Sequence, residues 1–366
     1  MRSHLTDFVI VLGTASLIQI MSFLLVIRHD ASWFVSVETV AWYLLPVAIL
    51  TFFLFFASPT KQKLRPHRSK PDNKFLSTLS FISLIGFLVG FYNFYYALKN
   101  LDSIFDAGRQ YELLFGRSTI LNYLYFTTFL YVIVGIPNLN SLTKFNKIVL
   151  FLSVVGLFFH STKSTIILPF VGATLYHVFI LRRKLPLLSI MLLGSILFLA
   201  FFTSDQIRDS SVNSTDRIFK YLGTPIANFD EIVSNNRTYN GPNLTIAPIR
   251  ALIVGRGNGS TSVVKGTDTT VPLRNEAYNA STIYRDIVFD YGYLGLIIFS
   301  LLLFLISRVF DALQFRRVGW GVPYTLFLLA LFAVIWGNHF FRYQYIYFTL
   351  LVLTIWSVRN VKKNKN

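Results

Sequence analysis

The chain has 366 residues, of which 54% are apolar or aromatic and only 14% charged, and its mean hydropathy is +0.54. A water-soluble domain carries roughly 25% charged residues, so this composition excludes a free-standing soluble protein. There is no cysteine, which excludes disulfides, thiolate metal sites and cysteine nucleophiles.

Apolar stretches suited to crossing roughly 30 Å of hydrocarbon recur along the whole chain. They lie at 5–27, 33–57, 75–98, 119–136, 148–160, 164–181, 185–203, 286–307, 321–338 and 344–358. The fifth and the last are short. Each is apolar all round rather than amphipathic, the pattern of a membrane span. The expected fold is an all-α integral membrane protein with about ten transmembrane helices. The first stretch has one basic residue before it and no small-x-small site before Arg28, so it reads as a retained helix and not as a cleaved signal.

The net charge of +17 is concentrated in alternate short loops. These hold Arg2; Lys61, Lys63, Arg65, Arg68, Lys70 and Lys74; Lys144 and Lys147; Arg182, Arg183 and Lys184; Arg308, Arg316 and Arg317; and Arg359, Lys362, Lys363 and Lys365. Positive charge in short loops marks the cytoplasmic side, which predicts both termini inside. The charge is then a topology signal and an attraction to anionic lipid, and nucleic acid is not an expected partner.

The chain therefore divides into transmembrane helices 1–7 (1–203), a large extracytoplasmic loop (204–285), and helices 8–10 with a basic tail (286–366). The loop carries nine basic and seven acidic residues. Loops beyond 12–15 residues are usually functional or disordered. Within this one, Ile218–Ile232 and Leu244–Val254 hold apolar residues suited to the membrane surface or to packing on the bundle. Gly255–Thr270 is rich in Gly, Ser and Thr and reads as a flexible crossing. Its GRGNG run lacks the spacing and following helix of a phosphate-binding loop. Sequons occur at Asn213, Asn243, Asn258 and Asn279. No HExxH, GxSxG or metal-ligand cluster occurs, so neither a metal nor any other cofactor is expected.

Arginine's planar fork matches phosphate and stays charged near lipid. Several arginines on an outer interface, Arg208, Arg217, Arg250 and Arg285 among them, suit a lipid pyrophosphate carrying a hydrophilic group. The same residues also suit solvated charges or headgroup anchors. Beyond the loop, His160 and Lys163 fall at one outer turn, and His339 and Arg342 at another. Histidine there suits a proton acceptor or a backbone-bonded interfacial residue. Asp286 and Asp290 enter the eighth span, where ionisable groups are expensive and functional by default, and Arg285 is near enough in sequence to pair with either.

These residues also carry a family resemblance. Asn279-x-x-Thr282-x-x-Arg285 followed by Asp290-Tyr291-Gly292-x-x-Gly295 resembles the late signature of oligosaccharide repeat-unit polymerases of the O-antigen polymerase (Wzy) type. Tyr291 stands where that family more often has Phe. Upstream, Arg217-Ile-Phe-Lys-Tyr221-Leu-Gly-Thr-Pro225 with Phe229 is similar to the opening of the family's large periplasmic loop, and Ser161-Thr-Lys163-Ser164 fits its middle. The resemblance covers roughly residues 150–310.

The resemblance implies a metal-independent, GT-C-like glycosyltransferase of the bacterial cytoplasmic membrane. It would join undecaprenyl-pyrophosphate-linked oligosaccharides, as donor and acceptor, in contact with membrane lipids and with a chain-length regulator as a further partner. On that reading Arg217, Arg250 and Arg285, then Arg208 and Lys163, contact pyrophosphate. Asp290 is the base or orients an arginine, His339 is the second choice, and Tyr221, Asn279 and Thr282 bind sugar. Gly292 and Gly295 are expected to serve helix packing. An O-antigen ligase shares the architecture and the donor, although the large loop here has no histidine. A lipid-linked oligosaccharide flippase is a further alternative, but internal repeats and mid-membrane charges are not evident.

Overall fold

The computed structural model describes residues 4–29, 35–56, 73–99, 120–160, 163–184, 195, 214–234, 245, 271–273, 276–278, 282–314 and 321–333, with backbone alone at 29, 120–123, 160, 163–165, 214–221, 271–273, 276–278 and 312–314. Nine α-helices occur among them: α1 (His4–His29), α2 (Val37–Phe56), α3 (Asn73–Lys99), α4 (Ile120–Gly135), α5 (Lys144–Gly156), α6 (Lys163–Leu175), α7 (Ser214–Ser234), α8 (Ile283–Gln314) and α9 (Gly321–Ala333). Eight of them coincide with expected spans. The expected spans at 185–203 and 344–358 lie outside the described residues, apart from residue 195. α1, α2, α3 and α8 are long and apolar enough to cross a membrane. One strand pair, β1 (Val271–Leu273) against β2 (Glu276–Tyr278), adds a small antiparallel element to an otherwise helical fold.

The surface explains the composition. α3 exposes Phe81, Leu88, Phe91 and Tyr92, α5 exposes Ile148 and Phe151, and α8 exposes Leu294, Leu301, Leu302 and Leu305. Contiguous apolar faces of this extent have no place in water; in hydrocarbon they are the solvent-facing surface. The protein is a membrane-embedded helical protein.

Two compact units divide the chain. The second comprises Pro66–Ser214, Val318–Leu329 and Tyr347–Asn366. Its core is a close approach of α3 to α4. A Cβ on Gly86 would lie 2.0 Å from the carbonyl oxygen of Leu124, and one on Gly90 would lie 2.4 Å from Tyr125 Cδ2. Small residues let helices meet where no hydrophobic effect drives them together. Polar pairs add to this: Ser80 Oγ donates to Asn146 Oδ1 (2.8 Å), Tyr131 OH to the Asn146 carbonyl (3.0 Å) and Tyr125 OH to the Gly156 carbonyl (2.6 Å).

The first unit comprises Met1–Arg65, Thr215–Arg317 and Ala330–Ile346. α8 lies parallel to α2, in contact from Trp42 on Tyr293 to Phe53 on Phe304, and antiparallel to α1. At the far end of that antiparallel pair, the backbone N–H of His4 donates to Asp311 Oδ1 (3.1 Å) and the His4 ring places Nδ1 2.5 Å from the same oxygen. Arg308 Nη1 sits 3.5 Å from Asp311 Oδ2. Both His4 and Asp311 are buried. Breaking a buried pair strands its partner, so Asp311→Ala is expected to cost about 3–5 kcal/mol. Adding His4→Ala should cost less than the sum, measurable as a coupling energy in a double-mutant cycle of thermal unfolding.

Candidate active site at the α7–α8 end of the first unit

Opposite the His4–Asp311 pair, the end of α1, the start of α2, the second half of α7 and the start of α8 converge. The loop residues Ile218–Ile232, expected on the membrane surface or on the bundle, form part of α7 and pack on the bundle. Ile226, Phe229, Ile232 and Val233 are buried, and a Cβ on Gly223 would lie 3.1 Å from Phe23 Cα of α1.

A polar clamp fixes this docking. Ser36 and Thr39 at the start of α2 send three donors to one oxygen of Asp230: the Ser36 N–H (2.9 Å), Ser36 Oγ (2.9 Å) and Thr39 Oγ1 (2.6 Å). Ser36 also caps α2 by accepting the Thr39 N–H at 3.1 Å.

Tyr43 is the aromatic hub of this end. It meets Phe229 of α7 (centroids 6.3 Å) and Tyr284 of α8 (5.3 Å, edge-on), and its hydroxyl donates to Gln19 of α1. Four helices thereby fix the backbone of Tyr284, and with it the neighbouring Arg285.

Thr282 is the N-cap of α8, accepting the Tyr284 N–H at 2.8 Å, so its hydroxyl has a structural task besides any sugar contact. Arg285 is 7% exposed and its Nε has no hydrogen-bond partner. Of the two aspartates near enough in sequence to pair with it, Asp286 feels the Arg285 charge. Asp290 is 4% exposed and accepts the Thr245 N–H at 2.7 Å. It thus ties Thr245 to α8, a structural task beside the base or arginine-orienting role expected of it. Asp286 lies one turn before Asp290 on the same stripe of the helix.

Gly292 breaks α8 directly after these residues. Its φ of +65° and ψ of −170° belong to a region essentially closed to other residues. Nothing lies within 4 Å of where its Cβ would be. The expected packing role is therefore wrong for Gly292, whose task is the break itself. It fits Gly295, where a Cβ would fall 2.8 Å from Ile287 Cγ2 and 2.9 Å from Tyr291 Cβ across that break. Gly292→Ala is expected to cost about 1–3 kcal/mol in strain and to move Asp290 relative to the apolar part of α8; thermal unfolding and protease protection of the Thr245 segment read both effects.

Arg217 and Tyr221 lie one turn apart in the first half of α7. Lys163 opens α6 in the second unit. Arg208, Arg250, Asn279, His339 and Arg342 lie outside the described residues. Sequence reasoning missed Tyr43 and the Asp230 clamp, because aromatic hubs and non-local hydrogen bonds leave no local pattern. Asp230 did stand next to Phe229, which belonged to the motif.

No family model, curated protein or solved structure matches this chain.

Proposed function

We propose that this protein polymerises lipid-linked oligosaccharide repeat units outside the cytoplasmic membrane, transferring a growing glycan from its undecaprenyl pyrophosphate to a hydroxyl of the incoming unit. The observation that carries this reading is Arg285: a buried guanidinium with an unpartnered Nε, in the short helical segment before a helix break, at the end of the bundle where α7 and Thr245 meet α8. Unpaired buried donors are costly, and they persist where a ligand completes them. The resemblance of the segments around Arg217 and Asn279–Gly295 to repeat-unit polymerases supplies the ligand: an anionic pyrophosphate bearing sugars.

In this scheme the acceptor oxygen attacks the anomeric carbon and the bond from that carbon to the pyrophosphate oxygen breaks. The pyrophosphate leaves with the bonding electrons, and the acceptor proton passes to a base. Arg285 stabilises the charge on the leaving group, and the resemblance adds Arg217, Arg250, Arg208 and Lys163 as further candidate cations. Asp290 is the first candidate to accept the proton and His339 the second. Tyr221, Asn279 and Thr282 are the candidates for sugar hydroxyls.

Deleting the gene in its host tests the reading. Lipid-linked glycan is expected to collapse to single repeat units and to regain length when the wild-type gene returns. Long chains that persist on the lipid carrier but never reach their final acceptor would instead identify a ligase. Repeat units that accumulate on the cytoplasmic face would identify a flippase.

A further inference from the structure

We propose that Glu38, Trp42 and Tyr293 form a platform for one sugar ring of the substrate; this rests on the polymerase reading and adds a site to it. The Trp42 indole and the Tyr293 ring are stacked, with centroids 4.2 Å apart and planes 18° apart. Both are partly exposed. The indole N–H donates to Glu38 Oε1 at 3.3 Å, and Glu38 is exposed. Its other oxygen has no partner among the described residues. Across the break, Tyr291 is 47% exposed, and the space beside Gly292 is open.

The chemistry of this patch matches a saccharide. A pyranose ring presents a face of C–H bonds, which stacks on an aromatic plane, and a rim of hydroxyls, which donate to a carboxylate in charge-assisted bonds. A glycine with no side chain admits such a ring against the backbone. The position fits as well. Glu38 precedes Thr39, which receives the Asp230 clamp, and Gly292 follows Asp290, which holds Thr245. An aromatic pair serving only as a membrane anchor needs no carboxylate on its indole, and lipid phosphates are repelled by one.

The test uses the full chain in nanodiscs. The probe is the repeat-unit oligosaccharide released from its carrier by mild acid, titrated against intrinsic tryptophan fluorescence and checked by calorimetry. Trp42→Leu is expected to weaken binding about tenfold or more, the scale of one stacking contact, and Glu38→Gln about three- to tenfold. Tyr293→Phe, which keeps the stack, should bind within about twofold of wild type.

Binding unchanged in Trp42→Leu overturns the platform, as does a fluorescence response set by nanodisc phospholipid alone. If wild type does not bind the probe while chain length in cells still depends on the gene, the platform fails and the polymerase reading stands. If the probe binds through Trp42 but deletion leaves chain length intact, the platform stands as a glycan site and the polymerase reading fails.

Discussion

Arg285→Ala is expected to reduce polymerisation by roughly 100-fold or more, the cost of removing one preorganised donor from a developing charge, while thermal stability stays level or rises. The second half of that expectation carries the discrimination. Arg285 is 7% exposed, with Nε unpartnered. Truncating it removes a desolvated charge that the free protein carries at a cost, set against the support that charge gives the buried Asp286 carboxylate. A structural arginine behaves the opposite way: its loss lowers the unfolding temperature. Arg285→Lys should fail to restore chain length, because an ammonium offers a point charge where the guanidinium offers a planar fork. Glycan ladders and thermal unfolding of the same purified variants report the two halves together. A loss of stability that tracks the loss of polymer would show that the residue holds the fold and not the substrate.

The helical architecture was legible because a membrane span needs length and apolarity on every face, and both are written locally. Eight of the expected spans coincide with helices, with boundaries shifted for identifiable reasons. α5 starts at Lys144, four residues before the expected apolar stretch, because Thr143 caps it by accepting the Asn146 N–H (3.2 Å) and because Asn146 finds a partner in Ser80 of α3. A polar first turn looked like loop until its partners were known. α8 starts at Ile283 because Thr282 caps it, so Arg285, Asp286 and Asp290 belong to a separate first segment before the break.

The candidate site was legible only as a roster of residue types. Sequence proximity placed Arg285 near two aspartates, and its charge does act on Asp286, but nothing in the sequence showed that its Nε would be buried without a hydrogen-bond partner. Gly292 and Gly295 read alike in sequence, yet one sets a backbone conformation and the other a close approach. His4 and Asp311, or Ser36 and Asp230, are far apart in the chain, and nothing short of the fold brings them together.

The Asp230 clamp carries the largest expected structural effect. Asp230→Ala removes the single oxygen that accepts from the Ser36 N–H, Ser36 Oγ and Thr39 Oγ1. Thr39 is fully buried, so its hydroxyl gains no water in exchange, and each stranded buried donor costs about 1–3 kcal/mol. That loss falls on one contact patch. α7 is strongly amphipathic, and what remains is its apolar face, with Phe229 against Tyr43 and Gly223 against Phe23 among its contacts, so the expected outcome is loosening of α7 with the transmembrane helices intact. Hydrogen exchange over residues 214–234 should rise by at least about tenfold, since tenfold corresponds to 1.4 kcal/mol, while α3 and α4 in the other unit stay protected. Asp230→Asn keeps one carbonyl oxygen for the clamp and should fall between wild type and alanine. Because Arg217 and Tyr221 ride on the same helix, the alanine variant should also lose long glycan chains. Phe229→Ala should mimic that loss, since it undoes the same docking through packing and leaves the clamp chemistry untouched. Exchange that rises equally across α1, α2 and α8 would mean the clamp stabilises the whole unit rather than holding one helix in place.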